Sequence, residues 1–127
     1  MSSRHGFTLH LRPVQQGSKT AGLRGDGRPF IRDANAHDLT SYRKTLTAQA
    51  ADAWTYHDQL TGPVRAWIRF TFDRPPSHYR TGRNAHLLRD SAPSHPGRAD
   101  GDLDKLVRAV CDALTDAGVW VDDTQLV

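Results

Sequence analysis

A lone cysteine, Cys111, stands among the 127 residues, so no internal disulfide can form and the fold must rest on packing. Its place on an apolar helical face marks it as a buried thiol. The seven histidines are scattered with no His or Cys pair at ligand spacing, which excludes a structural zinc site. No apolar run nears the roughly 20 residues that span a bilayer, and residues 1–12 lack the apolar centre of a secretion signal. The expectation is a soluble cytoplasmic protein with no membrane partner. Glycines ahead of Lys19 lack the spacing of a phosphate-binding P-loop. The length gives one domain, 1–127, with a single core, and any larger functional surface must come from self-association.

What is present is unevenly charged. Residues 1–98 carry fifteen Lys and Arg against seven Asp, whereas 99–127 carry two against seven, so a net +3 conceals +8 and −5. A basic body with an acidic end suits a protein that grips a polyanion and holds a divalent metal at one place on it.

The acidic end organises the rest. Leu103, Leu106, Val107, Val110, Leu114 and Ala117 recur at helical spacing, and Cys111 and Ala113 broaden the same face. Asp102 and Asp104 would fall on opposite sides of a continuous helix, so the helix is expected to begin at this pair, with Asp102 near the N-cap. Arg108 follows Asp104 by one turn and Asp112 follows Arg108 by another, giving a polar stripe. Gly118 is expected at the C′ position, and the chain then runs extended through Val119, Trp120 and Val121 to Asp122 and Asp123. Plain structural roles are available to all of these: a helix cap for Asp102, an exposed ion pair for Asp104 and Arg108, a turn for Asp122 and Asp123.

This arrangement, DxDxLxxRAVxDALTxAGVWxDDxQ, closely resembles the signature of the RusA family of Holliday-junction resolvases, the crossover junction endodeoxyribonucleases. The resemblance spans most of the chain and is specific over 102–125. It implies that Asp102, Asp104 and Asp123 are catalytic, metal-binding carboxylates meeting around one ion, with Arg108 in the place usually held by an essential lysine. Lys105 stands where the family commonly has Asn. Clustered aspartates suit Mg²⁺, with Mn²⁺ as a substitute, because both prefer oxygen ligands. Family members act as homodimers that nick a four-way junction symmetrically and leave ends a ligase can seal, so the implied partners are branched DNA and a second copy of the chain. They usually continue with a further strand, so the strand begun at Thr124 is expected to be cut short at Val127.

Upstream, Phe7, Leu9 and Leu11 alternate with polar residues as in a half-buried strand. Residues 15–27 form a polar, glycine-rich connection in which PVQQGSKT resembles the family segment that brings basic residues near DNA; Lys19 and Arg24 are its candidate phosphate contacts. A second strand is expected over 28–32. Asp33, Asn35 and Asp38 supply capping chemistry for a helix over 38–58 whose face includes Leu39, Tyr42, Leu46, Ala50, Ala53 and His57. From Gly62 a strand sets Val64, Ala66, Ile68, Phe70 and Phe72 against Arg65, Trp67, Arg69 and Thr71. Its arginine-flanked tryptophan fits DNA backbone or, preferentially, a dimer partner.

Residues 73–99 have no apolar periodicity, four prolines, five arginines and three histidines, and are expected to be a mobile basic flap that orders on nucleic acid. Arg74, Arg80, Arg83, Arg89 and Arg98, together with Lys105, are candidate DNA contacts, and Tyr79 can stack on an unpaired base. The fold class that results is α+β: a small mixed sheet of about four strands with two packed helices and a long basic loop. The function implied is a Mg²⁺-dependent, structure-specific endodeoxyribonuclease of recombination and repair, from a host or a prophage. Its rivals are a noncatalytic nucleic-acid-binding protein, an inactive truncated phage-derived remnant, and an acidic protein-interaction surface.

Overall fold

The computed structural model describes residues 4–17, 19–33 and 36–127, and of 19–21, 30–33 and 36 the backbone alone. Two helices form the centre, α1 (Ala36–Ala53) and α2 (Leu103–Asp116), with a hairpin of β1 (Lys19–Leu23) and β2 (Pro29–Asp33) preceding them. The hairpin is antiparallel, pairing Lys19 with Asp33 through Leu23 with Pro29. Its turn closes where Gly27, at φ +82°, donates to the Arg24 carbonyl, while the Asp26 carboxylate accepts from the Arg28 N–H.

Helical periodicity explains how α1 and α2 meet. Leu39, Tyr42, Leu46 and Ala50 lie one turn apart and are buried against Ala109, Val110, Cys111, Ala113 and Leu114. Ala50, Ala109 and Ala113 have no exposed surface, so small side chains let the two backbones approach. Each buried leucine contributes roughly 1.5–3 kcal/mol. At the rim Arg43 pairs with Asp116 at 3.0 Å.

A Schellman turn ends α2. Gly118 (φ +79°) donates to the Thr115 carbonyl and Val119 to the Leu114 carbonyl, which needs the left-handed conformation that only glycine adopts cheaply. The turn sends Val119 and Trp120 back under the helices. Trp120 is 2% exposed, and its indole N–H is satisfied by the Thr115 hydroxyl at 2.7 Å. Trp120 bridges Leu60 and Leu126 bridges Val64, both in parallel sense.

The sheet is smaller than the alternation of residues predicts. Among the described residues the only ladder is β1–β2; 7–11 is irregular with Leu9 alone turned to the core, and 65–72 forms no strand and has no backbone partner, with Ala66 and Ile68, expected on the core face, exposed. Period-2 alternation specifies which face is apolar, but a strand also needs a neighbour, and the neighbour of 64–72 is present only as the Leu126 bridge. β1 itself falls within the expected connection. The 73–99 segment is built, not formless: Tyr79 bridges Leu88, and one-turn 3₁₀ helices span Pro76–His78, Gly82–Asn84 and Arg98–Asp100. Helix α1 stops at Ala53, five residues short of the expected end. The capping expected of Asp33 and Asn35 lies outside the described residues. No helix among the described residues is long and apolar enough to cross a membrane.

Candidate active site

The start of α2 is fixed from outside by a short run near the N-terminus. Arg12 holds Asp100 at 2.7 Å, Gln15 accepts the Asp102 N–H at 3.0 Å, and the Gln16 N–H donates to the Lys105 carbonyl at 3.1 Å. Gly101 lies between these contacts at φ +111°, where a Cβ would stand 3.2 Å from the Gln15 side chain. Only glycine fits so close a crossing.

Asp102 occupies the N-cap position of α2, as the sequence predicts, yet its carboxylate makes no capping hydrogen bond. It is 59% exposed and faces Lys105 at 3.6 Å, a weak surface pair. Asp104 sits in the first turn, where a carboxylate suits the helix dipole. Arg108, one turn on, is exposed, and the ion pair with Asp104 is not formed. Two of the plain structural roles open to these residues are therefore unfilled.

The opposite holds for Asp122, which caps the last turn by accepting the Thr124 N–H at 2.9 Å. That bond lowers its pKa, while Asp123 is held above the usual carboxylate range, chiefly by its hydrogen bond with Asp122, with added repulsion from Asp122 and Asp112. Asp123 and Asp112 also reinforce the rise that burial gives the Cys111 thiol, so Asp123 lies alongside the third turn of α2. Gln125 anchors this turn. Its carbonyl accepts the Val121 and Asp122 N–H groups at 2.8 and 3.0 Å, and its amide donates to the Leu60 and Gly62 carbonyls at 3.0 and 2.9 Å.

Among the described residues no three His, Cys, Asp or Glu side chains form one metal-holding group. The structure pairs Asp102 with Lys105 and Asp122 with Asp123, and it does not gather Asp102, Asp104 and Asp123 around one point. The donor chemistry nevertheless fits a hard divalent cation. All the acids are carboxylates, they are exposed, and around Asp123 their mutual repulsion is the kind a cation relieves.

The basic candidates divide by use. Arg80 is tied to the Leu88 carbonyl and Asp90, and Arg74 to the Pro93 carbonyl, so both brace the 73–99 segment. Arg24, Arg83, Arg89 and Arg98 are exposed, with no side-chain partner among the described residues. Lys19 opens β1, and its side chain lies outside the described residues. Tyr79 is partly buried at its bridge. Sequence reasoning missed Arg12, Gln15 and the work of Gln125; only Gln125 left a signal, its fixed place two residues after Asp123.

The sequence model of a family described as Endodeoxyribonuclease RusA matches residues 13–127. No curated protein and no solved structure matches the chain.

Proposed function

Because the chain belongs to the RusA endodeoxyribonuclease family, we propose that it is a Mg²⁺-dependent nuclease that resolves four-way DNA junctions by paired, symmetric nicks. The observation that carries this reading is the release of Asp102, Asp104 and Arg108 from structural work, with Asp122, not Asp123, capping the last turn. Asp102, Asp104 and Asp123 would hold the metal, Mg²⁺ or its substitute Mn²⁺. When bound, such an ion neutralises charge at the scissile phosphate and acidifies water.

The chain's own contribution is positioning and charge. Arg108 carries a permanent positive charge one turn beyond Asp104 and stabilises the nonbridging oxygens as charge builds. Its forked guanidinium serves as an electrostatic, hydrogen-bond-donating group. Arg24, Arg83, Arg89 and Arg98 grip backbone phosphates, with Lys105 beside the acids. Paired nicks need two equivalent sites, hence a two-fold homodimer. The expected fuller sheet belongs to the same assembly, working in the cytoplasm where DNA is handled in recombination and repair.

An end-labelled four-way junction incubated with Mg²⁺, Mn²⁺ or chelator tests this, with Asp102→Asn and Asp123→Asn alongside. Metal-dependent symmetric nicks, sealed by ligase and lost in both variants, are expected. Tight binding without nicking would favour the second reading, a noncatalytic binding protein, with which the absence of a converged three-carboxylate group among the described residues agrees.

A further inference from the structure

The segment 63–72 carries a surface that the acidic site does not use. Val64 and Phe70 pack against the core, while the whole run between them, Arg65 to Arg69, is exposed, Trp67 at 90%. Neither arginine has an ion-pair partner among the described residues, and no acid lies between Gly62 and Phe72. The far end leads to the acids: the Arg12 guanidinium lies 5.3 Å from the centre of the Phe72 ring and also bonds Asp100, two residues before Asp102.

We propose that Arg65, Trp67 and Arg69 form a nucleic-acid contact strip, with Trp67 stacking on an unpaired base and the arginines on the flanking phosphates. The proposal rests on the DNA-binding reading above and deepens it by naming where the strand runs. Arg65 and Arg69 are four residues apart, at most about 13 Å of chain, so both can reach phosphates close to one stacked base. Stacking on an aromatic face tolerates any base and suits a branch point, where stacking between arms is interrupted and a base is most readily freed. Charge decides against a second copy of the chain on this face. Two strips brought together would place four guanidiniums side by side with no carboxylate between them, whereas a polyanion meets both arginines favourably.

The test uses the full chain in EDTA, so that no cutting occurs, with a labelled four-way junction and a linear duplex of the same sequence as probes. Trp67→Ala should weaken junction binding roughly tenfold and duplex binding less, with Trp67→Phe largely restoring it. Arg65→Gln combined with Arg69→Gln should lower the slope of log affinity against log salt by about two. In a Trp54→Phe background, junction DNA should quench the exposed tryptophan. Unchanged junction affinity in Trp67→Ala would overturn the strip while leaving the nuclease reading intact. A tryptophan emission change that follows protein concentration without DNA would overturn it in favour of self-association. Absence of any junction binding by the unaltered chain would overturn both.

Discussion

Replacing Gln125 with Ala should loosen the turn that carries Asp123 more than any other single polar change. Four hydrogen bonds of 2.8–3.0 Å are lost. Each is worth about 1 kcal/mol net, but the side chain is only partly buried. Water can therefore restore about half the loss, leaving roughly 2 kcal/mol. For a domain of this size that lowers Tm by about 8 °C, read by circular dichroism. Gln125→Glu keeps the acceptor for Val121 and Asp122 but sets a carboxylate against the Leu60 and Gly62 carbonyls, so it should not recover the loss. Cutting should fall further than the folded fraction does, because the Asp122–Asp123 turn loses its anchor to Leu60 and Gly62. A Gln125→Ala protein that melts within about 1 °C of the unaltered chain and cuts at full rate would refute the reasoning.

Other consequences follow from single contacts. Gly101→Ala meets both an unfavourable φ and the Gln15 side chain, so it should cost more than about 1 kcal/mol by urea titration. Thr115→Val strands the indole N–H of buried Trp120, costing roughly 1–3 kcal/mol on the same measurement. Burial pushes the Tyr42 phenol up, so the unfolded chain gives up that proton first; its share of stability is intact below about pH 10 and is lost as pH rises beyond it. Tyr42→Phe should flatten that alkaline decline.

How far the sequence determined the structure differs by element. The face of α2 was legible because its apolar spacing is unbroken, and its ends because Asp102 and Gly118 are position-specific. The end of α1 was not: Thr55 turns its hydroxyl onto the Ala51 and Asp52 carbonyls and Trp54 bonds the Asp58 carbonyl, closing the helix before His57. Alternation over 64–72 placed Val64 and Phe70 against the core, but Ala66 and Ile68, expected on the same face, are exposed, because the pattern held no information about a pairing partner to cover them. β1, KTAGL, has no alternation to detect and exists through its turn. In the site, the family resemblance brought Asp102, Asp104 and Asp123 forward, with Asp122 beside them. Only the hydrogen bonds separate Asp122, which caps, from Asp102, which does not.

Stability and cutting measured side by side on Asp102→Ala test the central claim most directly. A carboxylate that caps a helix costs about 1 kcal/mol when removed, near 4 °C here; Asp102 makes no such bond and only a weak pair with Lys105. Tm should therefore stay within about 2 °C while metal-dependent cutting drops roughly a hundredfold or more. A protein that loses about 4 °C and cuts in proportion to what remains folded would show that Asp102 serves the helix and not the chemistry.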